Sequence, residues 1–302
     1  MERFLSTGPV EVFDTDRRFA QINNLRARLS NKHDIPLSPL NPNIFGAQSD
    51  RYAEVPTMGI EIEINWRHVF PELSESWGES RPKDADKDSP EYIAFSEEYN
   101  RRDGQLKPVL EDISKVIPHV GKDAYWEFSF LPTKHIGITL AELQTLYEAG
   151  ILRDGESYAT HMTIASIDNE RDAFAFICGI EIAGGTTPER IASAYTQGSY
   201  DRKGKGGIHI RHPDELIGDD TSGYELRTLV VTSLEQATRF ILTASQLGEM
   251  YQNDPAAWAN YRTHIWSVME SIGVPLKAWD MPRVNINPWV KYAEFLASKK
   301  DA

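Results

Sequence analysis

The chain has 302 residues, and its 45 acidic side chains outnumber its 32 basic ones, which gives a formal charge of −13. Hydrophobic residues make up 40% of the chain and charged residues 25%, a balance typical of a folded globular protein and not of a disordered one. The acidic excess disfavours nucleic-acid binding, because contacts to phosphate need clustered Lys and Arg. A single cysteine, Cys178, excludes an internal disulfide and any zinc or iron–sulfur site with several Cys ligands.

Targeting and membrane signals are not found in the sequence. The first residues contain no apolar segment of signal-peptide length and no lipidation signal. The best apolar run, residues 173–180, is far too short to span a bilayer. We therefore expect a cytoplasmic protein with no membrane partner.

Two parts of the chain differ in composition. Residues 1–56 are rich in Asn, Pro and Arg, and we expect them to form an N-terminal arm packed on the core. Residues 57–302 mix short strands with helices, as in a single α+β domain. A strongly polar segment near 71–105 is expected to be a loop insert that leads into a helix.

Hydrophobic periodicity predicts the individual elements in chain order. A helix at 15–30 precedes a strand at 58–66, in which Ile60, Ile62 and Ile64 alternate with polar residues. The later elements are helices at 91–100 and 106–116, a strand at 125–130, a helix at 139–149, a strand at 161–166, helices at 169–183 and 188–195, strands at 208–211 and 224–231, and helices at 233–252 and 256–271. This irregular mixture predicts a largely antiparallel sheet flanked by helices.

Four glutamates lie inside predicted strands, where glutamate is depleted. Glu61 and Glu63 share one face of their strand, about 6–7 Å apart, while Glu127 and Glu225 lie between apolar residues of later strands. Carboxylates this close repel each other unless they are protonated, solvated or bridged by a cation such as Mg²⁺ or Mn²⁺. Taken singly, each glutamate is more simply explained by the solvated face of an antiparallel sheet.

A histidine and an arginine inside predicted strands favour the metal interpretation. His161 can add a neutral imidazole to a metal site, or it can be an ordinary hydrogen-bonded histidine of the core. The spacing Glu225-x-Arg227 suits a metal ligand beside an arginine that holds phosphate, although a simple ion pair explains it too. His161-x-Thr163 also satisfies the short motif of two-histidine phosphoesterases, but the second copy has Arg211 where Thr or Ser is required.

A glycine-rich basic segment interrupts the acidic chain. Lys203, Lys205 and Arg211 surround three glycines, which let backbone N–H groups approach a phosphate closely. Neither a Walker motif nor a Gly-x-Gly-x-x-Gly fingerprint is present. A solvated approach to a hairpin is the simpler explanation of this segment alone.

Four short motifs, in this order, resemble those of the glutamine synthetase and glutamate–cysteine ligase superfamily, and most closely its small amidoligase branch: Gly59-x-Glu61-x-Glu63, Trp126-Glu127, His161 and Glu225-x-Arg227. The resemblance covers about residues 57–250. It implies a curved antiparallel sheet that forms a half-barrel funnel, with ATP entering at one end. The implied activity is ATP-dependent ligation of a carboxylate to an amine through an acyl phosphate.

The resemblance also implies roles for individual residues. The implied ligands of two or three Mg²⁺ or Mn²⁺ ions are Glu61, Glu63, Glu127, His161 and Glu225. Arg227 matches the arginine that contacts phosphate, and the looser candidates for binding phosphate or carboxylate are Arg211, Lys203 and Lys205. His209, which follows Gly207, matches the histidine motif of the family as well, so either His161 or His209 is the expected ligand.

Three other functions remain open at this point. The same fold could transfer phosphate to a guanidino group or a carboxylate without an amine step, which would make the protein a kinase. A non-catalytic binding protein could carry the glutamates as a solvated face. A metal-dependent hydrolase is the fourth and weakest interpretation.

Overall fold

The computed structural model describes residues 15–45, 58–65, 89–117, 119–122, 125–130, 136–165, 167, 170–187 and 223–272. The elements in these ranges are, in chain order, α1 (Thr15–His33), β1 (Met58–Asn65), α2 (Pro90–Ile113), β2 (His119–Lys122), β3 (Tyr125–Phe130), α3 (Ile136–Glu148), β4 (Tyr158–Ala165), α4 (Glu170–Ala183), β5 (Gly223–Val231), α5 (Leu234–Asn253) and α6 (Pro255–Ser271). Within this part of the chain, none of the helices is both long and apolar enough to cross a membrane.

The strands form one five-stranded sheet in the order β2-β3-β1-β4-β5, and every neighbouring pair is antiparallel. The predicted α+β class with an antiparallel sheet is therefore confirmed. The alternation in β1 places Ile60, Ile62 and Ile64 in the core, where they are at most 4% exposed. Phe128 of β3 and Met162 of β4 lie opposite Ile62 and Ile60 and are fully buried beside them.

The helices pack on one another in two groups. Helix α1 contacts α2 and α3, while α4 contacts α5 and α6, and the contact between α3 and α5 joins the groups. Helices α4 and α5 also touch β5. Gly184, directly after α4, allows the closest approach, because a Cβ there would lie 1.7 Å from the buried ring of Phe240 on α5.

Two buried arginines attach α1 to α3. Arg18, 4% exposed, donates to the fully buried Glu142 through Nε (3.2 Å) and Nη2 (2.5 Å). About two turns further along α1, Arg26 donates to Thr145 (3.2 Å) and pairs with Glu148. Buried charges are tolerated only when they are paired and hydrogen-bonded, so these contacts define how α1 lies on the core.

A buried aspartate ties α2 to the end of α1. Asp112 is 1% exposed and accepts hydrogen bonds from Lys115 (2.7 Å), Lys32 (2.8 Å) and His33 (2.9 Å). Burial raises the pKa of Asp112, but the three hydrogen bonds outweigh burial, and the net pKa lies well below the ordinary value of 3.8. The carboxylate is therefore ionised in the folded protein at neutral pH.

The prediction of two helices at 91–100 and 106–116 is wrong, because α2 runs without interruption from Pro90 to Ile113. Pro108 lacks an N–H and cannot donate to the carbonyl of Gly104, four residues before it. The helix nevertheless continues, since apolar residues on both sides of the proline are buried in the core that α1 and α2 share. The polar segment expected to be a loop near 71–105 is thus helical from Pro90 onward.

The other described elements match their predictions to within a few residues, with the addition of β2, which was not expected. Several predicted features lie outside the described residues and stay predictions. They are the first part of the polar insert (71–88), the helix at 188–195, the glycine-rich basic segment and the strand at 208–211.

Candidate functional site

Strand β1 supplies two glutamates to the face of the sheet opposite the core. Because Ile60, Ile62 and Ile64 point into the core, Glu61 and Glu63 point the other way. Their side chains are 16% and 35% exposed. This face meets solvent at Ala159 of β4, which lies opposite Glu63 and is exposed.

His161 of β4 lies between these two carboxylates. Its Nδ1 is 3.7 Å from Oε2 of Glu61 and its Nε2 is 3.4 Å from Oε1 of Glu63, and the imidazole is 6% exposed. Both distances suit an ion pair but exceed the ~2.7–3.2 Å of an ordinary N–H···O hydrogen bond. We call these three residues the Glu–His cluster. It joins two sequence motifs that lie about 100 residues apart.

The register of the sheet brings two further predicted site residues alongside this cluster. Glu127 of β3 lies directly opposite Glu63, and Glu61 lies directly opposite His161. On the next strand, Glu225 lies opposite Thr163, two residues along β4 from His161. Residues paired in this way occupy the same face of an antiparallel sheet. Four strands, β3, β1, β4 and β5, therefore each contribute at least one predicted site residue to the region around the cluster.

The pairing of β4 with β5 is irregular at His161. Thr160 pairs with Leu229 and Met162 pairs with Leu226, so His161 alone faces the two residues Arg227 and Thr228. This is the arrangement of a β-bulge, a feature that is over-represented beside active sites because it redirects a side chain. The bulge places Arg227 at the register position next to His161.

A proton and a divalent cation would offset the negative charge of the Glu–His cluster to different extents. A protonated His161 would offset one of the two negative charges, whereas a divalent cation would offset both. Carboxylates are ligands that suit Mg²⁺ and Mn²⁺, and imidazole is a ligand that suits transition-metal ions, so the chemistry of the set fits a divalent ion. Within the described ranges, however, no three His, Cys, Asp or Glu side chains are already arranged around a common point. A metal would need either a closer approach of these side chains or ligands from elsewhere.

The remaining predicted site residues lie outside the described part of the chain. They are Lys203, Lys205, His209 and Arg211. The structure thus places the glutamate, histidine and Glu-x-Arg motifs together in the sheet and does not test the basic segment.

Sequence reasoning missed one polar residue beside the cluster. Ser129 lies opposite Glu61 in the register of the sheet. It follows the predicted site residue Glu127 by two positions in the same strand. The period of a strand could have identified it, since residues two apart share a face.

In comparisons with known proteins, no family model matches the chain, and no curated protein or solved structure is significantly similar to it.

Proposed function

We propose that the protein is an ATP-dependent ligase that joins a carboxylate to an amine. The observation that supports this best is the register of the sheet. It brings Glu61, Glu63, Glu127, His161 and the Glu225-x-Arg227 motif to neighbouring register positions, although they come from four strands spread over more than 160 residues of the chain. A merely solvated face does not require acidic residues, a histidine and an arginine at neighbouring positions of one sheet. We propose further that this sheet is the wall of a half-barrel funnel.

A site lined by acidic side chains can bind ATP only if cations are bound with it. ATP carries about four negative charges and would be repelled by bare carboxylates. In the proposed site, Glu61, Glu63, Glu127, His161 and Glu225 hold Mg²⁺ or Mn²⁺. The ions supply positive charge that offsets the negative charge of the phosphates.

The chain's own residues then bind and orient the reactants. Arg227, beside the histidine in the register, is proposed to contact the transferred phosphoryl group, where a guanidinium can form two parallel hydrogen bonds. Arg211, Lys203 and Lys205 are proposed as additional contacts to phosphate or to the substrate carboxylate. The substrate carboxylate attacks the γ-phosphorus and releases ADP, and the amine then displaces phosphate from the acyl carbon. Holding the two substrates in line is the main contribution of the protein.

The activity can be tested without knowing the amine, because hydroxylamine traps an acyl phosphate as a hydroxamate, which forms a coloured complex with ferric iron. The full chain is incubated with ATP, Mg²⁺, hydroxylamine and a panel of amino-acid and peptide carboxylates. We expect hydroxamate and ADP in equal amounts with at least one carboxylate. Glu63→Gln should lower the rate at least about 100-fold, since one ligand of the charge-neutralising ion is lost.

The matched control is Glu235→Gln, the same change at a glutamate that is 75% exposed on α5. This variant should keep the activity of the natural chain. Release of ADP with a stable phosphorylated product and no hydroxamate would replace the ligase with a kinase. Absence of both ADP release and ATP binding would leave a non-catalytic binding protein.

A further inference from the structure

A groove on the helical part of the molecule combines an apolar floor with a rim of arginines. It has a volume of about 360 Å³ and lies between α2, the residue Ile35 after α1, and the turn after α3. We call it the arginine groove; its described lining residues are Ile35, Arg101, Arg102, Gln105, Leu106, Val109, Ala149, Gly150, Ile151 and Arg153. None of these lining residues is acidic, in a chain with a net charge of −13.

The floor of the arginine groove is apolar. Val109 and Ile151 are 8% and 4% exposed, and Leu106 packs against the same core. A volume of this size is at the lower end of the range for small-molecule sites. The floor therefore suits a short apolar body, such as an acyl chain of about eight carbons.

Two of the rim arginines belong to α2 and share one carboxylate. Arg101 donates to Glu98 through Nε and Nη2, each at 2.7 Å, and Arg102 donates to the same carboxylate through Nε, also at 2.7 Å. These hydrogen bonds from Arg101 and Arg102 lower the pKa of Glu98 to about 2, so it is ionised at neutral pH. One negative charge against two positive ones leaves this end of the rim positive.

The third arginine is carried by a tightly ordered turn. Arg153 is exposed, and its Nε contacts the carbonyl of Gly150 (3.4 Å). Its backbone N–H donates to the hydroxyl of Tyr158 (2.8 Å), and the next residue, Asp154, accepts from the N–H of Leu234 at the start of α5 (3.0 Å). Because these two hydrogen bonds hold the turn that carries Arg153, less ordering of this turn is needed on binding, which lowers the entropic cost.

We propose that the arginine groove binds an amphipathic organic anion, with the apolar body on the Leu106–Val109–Ile151 floor and a carboxylate or phosphate head group between Arg153 and the Arg101–Arg102 pair. The attraction comes from charge complementarity combined with burial of the apolar body. This site does not depend on the proposed ligase activity, since none of its residues lies in the sheet.

The test is a calorimetric titration of the full chain with octanoate, octyl phosphate, octanol and inorganic phosphate. Both amphipathic anions should bind. Octanol, which lacks the anionic head group, and inorganic phosphate, which lacks the apolar body, should bind at least about tenfold more weakly. The tighter of the two anions then identifies the natural head group as a carboxylate or a phosphate. Raising the salt concentration should weaken the binding of both anions.

Variants separate the groove from other binding surfaces. Arg101→Gln and Arg153→Gln, both at exposed positions, should each weaken the binding of the two anions about fivefold. Arg239→Gln, an exposed arginine on α5 outside the groove, is the matched control and should bind as the natural chain does. Equal affinity for octanol and octanoate, or unchanged affinity in both groove variants, would overturn the proposal.

Discussion

The α1–α3 interface and the polar face of the sheet both bring charged side chains together, but they balance the charge differently. At the interface, the buried Arg18 and Glu142 form a pair of opposite charges, and Arg26 pairs with Glu148. On the sheet, two carboxylates, Glu61 and Glu63, surround one imidazole. The interface is neutral as folded, whereas the Glu–His cluster would keep a net negative charge even with a protonated imidazole, and only a divalent cation would neutralise both carboxylates.

The difference separates charges that neutralise each other within the fold from charges that do not. A buried ion pair fixes the position of α1 because either partner alone would be an uncompensated charge in the core. The sheet glutamates are 16% and 35% exposed, so water partly screens their repulsion and the fold does not need them. Removing charge should therefore destabilise the first region and not the second.

The largest effect is expected for Arg18→Met, which leaves the carboxylate of Glu142 in the core without the guanidinium that now neutralises it. We expect the free energy of unfolding to fall by about 3–5 kcal/mol, measured by urea denaturation. The double variant Arg18→Met/Glu142→Leu, which removes both charges, should recover most of this loss. A single variant as stable as the natural chain would show that the pair does not anchor α1.

The second effect concerns Asp112, whose four basic neighbours hold it ionised in the core. Its pKa in the folded chain is below the ordinary 3.8, so its contribution to stability is present above that pH and is lost as the pH falls through the folded value. Asp112→Asn should cost about 2 kcal/mol at neutral pH.

The pH dependence gives the check on Asp112. Urea midpoints of the natural chain should decline more steeply on acidification below about pH 4 than those of Asp112→Asn, since the variant has no carboxyl group to protonate at this position. Parallel declines in the two proteins would assign the acid sensitivity to other carboxyl groups.

A smaller effect of opposite sign is expected on the sheet. Glu63→Gln, in the presence of a chelator at pH about 8, should leave the free energy of unfolding unchanged or raise it by about 0.5 kcal/mol, because it removes repulsion from Glu61 on the same face. Thermal melts of the two proteins measure the change. A loss of more than about 2 kcal/mol would make Glu63 a structural residue and erase the contrast between the regions.

The smallest effect is expected at the surface. Arg239 and Glu235 form an i,i+4 pair on α5 with side chains that are 55% and 75% exposed. Arg239→Gln should change the free energy of unfolding by only about 0.3 kcal/mol, since exposed pairs are solvated and screened. A loss near that of Arg18→Met would mean that burial is not what distinguishes the charged pairs of this protein.

The sequence predicted the parts of the fold that local periodicity determines. Strand β1 shows a regular alternation of apolar and polar residues. This alternation alone predicts that Glu61 and Glu63 share the face opposite Ile62. Strand β2 was missed because its four residues show no clear alternation. Helix α2 was predicted as two helices, 91–100 and 106–116, whereas packing on α1 stabilises one helix that continues through Gly104 and Pro108, both poor helix formers.

Contacts between distant residues could not be predicted in the same way. Arg18 and Glu142 lie 124 residues apart, and nothing local to either one indicates the pairing. His161 and Arg227 are adjacent in the register because of a bulge between β4 and β5. The spacing of residues within either strand does not reveal this bulge. The arginine groove was missed for the same reason, since Arg153 meets Arg101 and Arg102 only in the folded chain.

The central claim, that the Glu–His cluster binds a divalent cation, is tested most directly by thermal melts with and without Mn²⁺. An ion present at about 100 times its dissociation constant should stabilise the natural chain by about 2.7 kcal/mol and raise its melting temperature accordingly. Glu61→Gln and Glu63→Gln should lose most of this increase, and Glu235→Gln should retain it. No increase in the natural chain at millimolar Mn²⁺, or the same increase in all three variants, would contradict the account.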